Sequence, residues 1–186
     1  MPRSARSTQD SKSEILTAAL EVIRRSGAPA LTIDAVAEES GFSKGGVLYN
    51  FPTKDALITG MVEFLANQFG DEVAKARELH LSSPCPTLSA MIDVTQGWLR
   101  ERQDVARAML ATKADKPDLS EPFKEVTTRL KKAVEAETEE RGKAWMIWSS
   151  LEGLHFSDAH CASVFTEDEL VVVFNQLRRC LDEIKN

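Results

Sequence analysis

Three cysteines among 186 residues, Cys85, Cys161 and Cys180, are too few and too irregularly spaced for a disulfide framework, and they suit reduced thiols. No chemistry is assigned to them. Long apolar runs are equally missing: no stretch of about 18 apolar residues occurs, which argues against a membrane-spanning helix. The opening stretch MPRSARSTQDSKSE is polar and has no apolar segment of the kind that directs secretion, so a cytoplasmic protein with no membrane partner is expected. Strand-period segments of useful length, internal repeats, low-complexity tracts and glycine-rich phosphate loops are absent as well. No nucleophile elbow, paired general acid and base or cofactor fingerprint is visible, so the expectation is a protein that is not an enzyme, has no catalytic residues and uses no cofactor. His155, Asp158, His160 and Cys161 lie close together in the chain. His155 and His160 nevertheless fall about 140° apart on an ideal helix and cannot share a face, so no metal site is assigned.

What the chain does have is 42% hydrophobic and 28% charged residues, a composition that supports a folded core in one or two domains. Its net charge of −6 points away from nucleic acid, but the charge is unevenly placed. Residues 1–54 hold 7 Lys+Arg against 6 Asp+Glu, whereas residues 55–186 hold 16 against 23. A DNA-contacting module at the N-terminus would therefore not have to work against the acidity of the rest.

Apolar spacing predicts helix nearly throughout, in an all-α fold of about nine helices. Ser11-Lys12-Ser13-Glu14 has the form of a capping box, and Ile15, Leu16, Ala19, Leu20 and Ile23 recur behind it until Gly27 and Pro29 end the run. Thr32 is placed to cap a short second helix with Ile33, Val36 and Ala37 on its inner face, and Gly41 stands where a left-handed closing residue belongs. Ser43 caps a third short helix that must stop before Pro52. Thr53 caps a fourth with a stripe of Leu57, Met61, Phe64, Leu65 and Val73. Two short helices joined by a turn of about three residues, with a supporting helix before them, form a helix-turn-helix. The third helix carries two glycines, Gly45 and Gly46, each costing roughly 1 kcal/mol relative to alanine, which suggests that something outside the helix needs the space. A recognition helix in the major groove has that need, because its backbone must come close to phosphates or base edges.

The stretch ILTAALEVIRRSGAPALTIDAVAEESGFSKGGVLYNFPTKDAL, from Ile15 to Leu57, resembles the DNA-binding domain of the TetR family of bacterial transcriptional regulators. The likeness rests on the small-apolar first helix, Thr32, the GFSKG stretch, Phe51 and Lys54, and it covers about a quarter of the chain. It implies that the third helix reads bases while helix two and the start of helix four contact phosphates. Carried over by position, Thr32, Ser43, Lys44, Gly45, Gly46, Tyr49, Asn50 and Lys54 become the DNA-facing set. Leu48 and Asn50 depart from the family, which commonly has tyrosine and histidine there. The resemblance also implies a helix-turn-helix domain over residues 1–54, followed over residues 55–186 by a helical bundle for effector binding and dimerisation.

In that larger part, Lys143–Ala159 is apolar around half its circumference or more, which predicts burial on two sides. Ser150, Gly153 and Ser157 form a small-residue ridge across from much of the apolar arc. Thr166 and Glu169 make a second capping box, and Leu170, Val173, Phe174, Leu177 and Leu181 give the last helix its inner face, with Val171 and Val172 as surplus apolar surface. Ser150, Gly153, Ser157, Leu170, Val173, Phe174, Leu177 and Leu181 are assigned to a homodimer interface, because the resemblance implies that the last two helices pair with their mates. Glu152 projects among Trp145, Trp148, His155 and Phe156, where a carboxylate needs a partner or a cationic or hydrogen-bond-donating ligand. Together with Trp98 and Met109 these residues, Phe156 aside, are the candidate pocket for an unknown small-molecule effector. The expected function is a sequence-specific transcriptional regulator, a repressor released by an effector from a pseudo-palindromic double-stranded operator. The alternative is a DNA-bound protein of the same shape whose larger part binds another protein.

Overall fold

The computed structural model describes residues 8–101, 121–160 and 162–185, and among these the chain forms eight α-helices and no strand. Helix α1 (Thr8–Ser26) starts ahead of the expected cap at Ser11 and buries Ile15, Ala19, Val22 and Ile23 along one side. It stops at Gly27, whose φ of 78° a side chain would oppose, and Pro29 sits in the tight 3-10 turn that follows. The hydroxyl of Thr32 caps α2 (Ile33–Ser40) by accepting from the Ala35 amide at 3.1 Å, and Gly41 closes the helix at φ 70°. Three residues later α3 (Lys44–Asn50) begins on a Ser43 cap, and α4 (Lys54–Arg77) begins on a Thr53 cap. Each cap satisfies an amide that a helix start leaves without a partner, worth about 1 kcal/mol. The rest of the described chain is α5 (Pro86–Glu101), α6 (Glu121–Glu137), α7 (Arg141–Ala159) and α8 (Glu167–Asp182).

Two apolar cores result, and α4 belongs to both. Leu57, Ile58, Met61 and Val62 complete the head core of Ile15, Leu16, Val36, Val47 and Phe51. Ala66, Phe69 and Val73, further along the same helix, enter a second core with Leu88, Ile92, Val134, Ile147, Leu151 and Phe174. Phe123, near the start of α6, packs against both.

Two glycines on α4 mark where neighbours come closest. A Cβ at Gly60 would lie 2.7 Å from the Phe51 ring, and one at Gly70 would lie 3.1 Å from Val126 of α6. The first distance is closer than real atoms come and the second would force Val126 to give way, so here glycine answers to packing within the protein. A carboxylate ties the far end of the bundle. Glu137 accepts from Arg77 at 2.9 Å, from the Thr87 amide at 2.8 Å and from the Thr87 hydroxyl at 2.8 Å, joining the ends of α4 and α6 to the start of α5. The Cys85 thiol beside it is buried, which pushes its pKa up to about 12 and leaves it a thiol at neutral pH.

Helix α8 packs its stripe inward. Phe174, Leu177 and Leu181 are buried within the protomer, and Leu170 and Val173 lie half-buried against the same core. Within the protomer, then, this amphipathic helix covers its own core with its apolar stripe. Arg178 binds it further, donating to Asp93 and to Gln96 of α5, both at 2.7 Å.

Candidate nucleic-acid interface

The surface of α2, α3 and the start of α4 is assembled from residues whose local roles are explicit. Thr32, Ser43, Lys44, Gly45, Tyr49 and Lys54 are exposed, while Gly46 and Asn50 are half-buried. The oxygens of Thr32 and Ser43 accept helix amides, which leaves each hydroxyl proton available to an outside acceptor such as a phosphate. Tyr49, the chain's single tyrosine, is 83% exposed at the end of α3, an unusual position for an aromatic ring without a partner. Asn50 is turned back on its own helix, its Nδ2 donating to the Gly46 carbonyl at 2.9 Å and its Oδ1 buried without a hydrogen-bond partner.

The two glycines of α3 separate into different cases. An added Cβ at Gly46 would come within 3.3 Å of the Ser43 hydroxyl and 3.6 Å of the Phe42 ring, so the cap already constrains that position. At Gly45 the nearest atom would be the Ser43 hydroxyl at 4.0 Å, and the residue is exposed. Among the described residues nothing requires a glycine at 45. Lys44, beside it, is paired with Asp34 of α2 at 2.9 Å, a residue absent from the expected set. Ten positions separate the two in sequence, and only the turn at Gly41 brings them together, so helical spacing gives no signal for the pair.

The family model for bacterial regulatory proteins of the tetR family matches residues 15–61, and a tetracycline repressor-like C-terminal domain model matches residues 86–182. The chain belongs to the TetR family. No curated protein matches it. Among solved structures the TetR-family chain is similar in fold to a TetR transcription regulator from Haloarcula marismortui, at 20% identity and a TM-score of 0.73, covering 95% of this chain and 98% of that one. A transcriptional regulator from Rhodococcus is similar at 19% identity and a TM-score of 0.66, over 94% and 99% of the two chains. The multidrug binding protein EbrR, complexed with malachite green, is similar at 21% identity and a TM-score of 0.65, over 91% and 97%.

In this TetR-family chain the candidate effector residues do not form one cluster. Trp98 and His155 meet around Phe69, with ring centroids 5.1 Å and 5.8 Å away in edge-on geometry. The Trp98 indole donates to Glu72 at 2.6 Å, and His155 Nε2 lies 3.1 Å from the Thr95 hydroxyl. Burial lowers the His155 pKa to about 4, so the imidazole is neutral at pH 7. Trp145 and Trp148 pair with each other at 6.2 Å, Trp148 in the bundle core and Trp145 beneath the Lys131 ammonium. Glu152 is exposed within the protomer, since the helical projection gives its angle on α7 but not which side of α7 is covered. Met109 lies outside the described residues. A cleft of about 220 Å³ is lined by Leu99, Leu154, Asp158, Phe165, Glu167 and Leu170 among others, and none of the described candidate effector residues lines it.

On the outer side of α7 and α8 the chain leaves apolar groups in the open. Met146, Phe156, Val164, Phe165, Val171 and Val172 are exposed, Val172 at 67% and Val164 at 85%. Ser150 and Gly153 of the small-residue ridge share that exposure, Ser157 is half-buried, and a Cβ at Gly153 would meet nothing within 4 Å. No helix of the described residues is long and apolar enough to cross a membrane, and no cluster of three or more metal-binding side chains occurs among them.

Proposed function

We propose that the chain acts as a homodimeric, sequence-specific repressor that α3 docks in the major groove and that a small molecule in the bundle releases. The observation that carries this reading is Gly45: α3 gives up a side chain at an exposed position where its own protein has room for one. A groove-bound helix gives that absence a purpose, and the cap hydroxyls of Thr32 and Ser43, with Lys44, Tyr49 and Lys54, supply phosphate and base-edge contacts around it. Two copies would join through the outer faces of α7 and α8, with the Ser150 and Gly153 ridge and the exposed Val171 and Val172 at the contact. The buried Phe174, Leu177 and Leu181 support that face from beneath. The two recognition helices would then reach successive major grooves, about 34 Å apart, on a pseudo-palindromic operator. EbrR, which shares the fold, is complexed with malachite green, and the cleft lined by Leu99, Leu154 and Leu170 is the candidate effector site here. An effector releases DNA to the extent that it binds better to a dimer whose heads are wrongly spaced.

The test is a salt titration of the purified protein on labelled duplex from its own upstream region, with scrambled duplex as competitor, read by anisotropy. Selective binding that weakens steeply with salt is the expected result. Lys44→Ala should weaken operator binding without loss of the dimer. Equal, weak binding to both duplexes, repeated with duplexes selected from a random pool, would remove the DNA-binding reading.

A further inference from the structure

The head that carries α3 is not built to attract DNA strongly. Helix α2 holds three carboxylates, Asp34, Glu38 and Glu39, and no basic residue. Glu39 is engaged by Arg25 at 2.6 Å on the flank towards α1. Asp34 stands in the first turn of α2, beside the Thr32 cap. It grips Lys44 with both carboxylate oxygens, at 2.9 Å and 3.0 Å, although both side chains are mostly exposed, at 71% and 60%. One of the two lysines expected to meet DNA is therefore paired, before any DNA arrives, with an anion on the adjoining helix.

On arbitrary duplex this arrangement has a definite consequence. If Lys44 turns to a phosphate it leaves Asp34 uncovered near the polyanion, and if it stays paired it brings no net charge to the interface. Either way the contact that every sequence offers equally is weakened. An ammonium has three N–H donors, so Lys44 can keep Asp34 and still donate to an acceptor on a base edge. An exposed pair of this kind is worth about 0 to 1 kcal/mol, which biases where Lys44 sits without fixing it.

Resting on the reading of α3 as a DNA-facing helix, we propose that Asp34 is a selectivity residue of this surface: it holds Lys44 away from non-specific phosphate binding and in position for base contact. Asp34 acts through Lys44 and is a positioning residue.

The experiment compares the full-length wild type with Asp34→Asn, Lys44→Ala and the double variant. Each is titrated on a duplex selected by the wild type from a random pool and on a scrambled duplex, across 50 to 300 mM salt. Asp34→Asn should bind scrambled DNA roughly five- to tenfold more tightly near 100 mM salt, with a salt slope steeper by about 0.9, the signature of one added phosphate contact. Its preference for the selected duplex should fall. In the Lys44→Ala background Asp34→Asn should change neither affinity nor slope. Unchanged scrambled-DNA affinity in Asp34→Asn overturns the proposal, as does a gain that persists without Lys44, which would mean direct repulsion of DNA by Asp34. Failure of the underlying reading is distinguishable, because it shows in the wild-type curves alone, as no selected sequence and no steep salt dependence. Asp34 is exposed and asparagine suits the same helix turn, so thermal melting of the variants serves as the folding control.

Discussion

Replacing Gly45 by alanine separates what α3 needs for folding from what it needs for its partner. A methyl group at that position would touch nothing nearer than the Ser43 hydroxyl at 4.0 Å, and Gly45 is not among the glycines with positive φ, so no clash or strain opposes it. Alanine also reduces the freedom of the unfolded chain. The gain expected from glycine-to-alanine exchange in an unstrained helix is about 0.5 to 1 kcal/mol. For a protein of this size that corresponds to a rise in Tm of roughly 1 to 4 °C. The same methyl group points away from the protein, into the volume a groove-bound helix would give to DNA. Holding α3 back by the width of one carbon should lower operator affinity at least about tenfold, equivalent to 1.4 kcal/mol. The assays are thermal melting, at one protein concentration because dimer stability depends on it, and anisotropy on the selected duplex. A lower Tm would refute the claim that the protein has no need of the glycine. A higher Tm with unchanged DNA affinity would refute the claim that DNA does.

Gly60→Ala should behave in the opposite sense. Its methyl group would meet the buried Phe51 ring at 2.7 Å, so overpacking of about 1 to 3 kcal/mol should outweigh the helix-propensity gain and lower the Tm by several degrees. Glu137→Gln keeps the shape but removes the charge that serves Arg77 and both donors of Thr87, and it should lower the unfolding free energy in urea by about 2 to 4 kcal/mol. An unchanged midpoint would show that the three bonds do not hold the bundle end together. His155 gives a pH dependence. Its folded pKa of about 4 lies below the unfolded value of about 6.5, so the unfolded chain binds the extra proton between those values. The contribution is complete above pH 6.5 and is lost as pH falls towards 4, by up to about 3 kcal/mol. Urea unfolding at pH 7.5 and pH 5 should therefore show a smaller acid loss in His155→Gln than in the wild type, and an equal loss would count against a buried neutral imidazole.

The head was legible in the sequence because its boundaries are set by local chemistry. Thr32, Ser43 and Thr53 each cap the helix they were expected to cap, as Thr166 does for α8 in the bundle, and Gly41 closes α2 in the left-handed conformation. Such signals act within four residues and need no knowledge of the fold. Features that depend on which helices cross were not legible. Gly60 reads as an ordinary glycine until Phe51 is known to lie against it, and Asp34 and Lys44 meet only because the turn folds them together. The stripe of Phe174, Leu177 and Leu181 shows that α8 has one apolar face, but periodicity alone does not say whether that face meets its own core or a second copy. Trp145 and Trp148 lie three apart and do pair, whereas the meeting of Trp98 and His155 depends on Phe69 of a third helix.

Because α4 serves both cores without interruption, it is a lever with unequal arms. Its 24 residues span about 36 Å, and from the tight crossing at Gly70 to Lys54 the long arm measures about 24 Å. A tilt of about 5° at that fulcrum sweeps Lys54 through about 2 Å. In the proposed dimer a tilt along the line between the heads would count twice, giving about 4 Å of head separation from a motion at the crossing no larger than the clearance around one side chain. Gly70 sets where the fulcrum lies, and the length of α4 sets the gain.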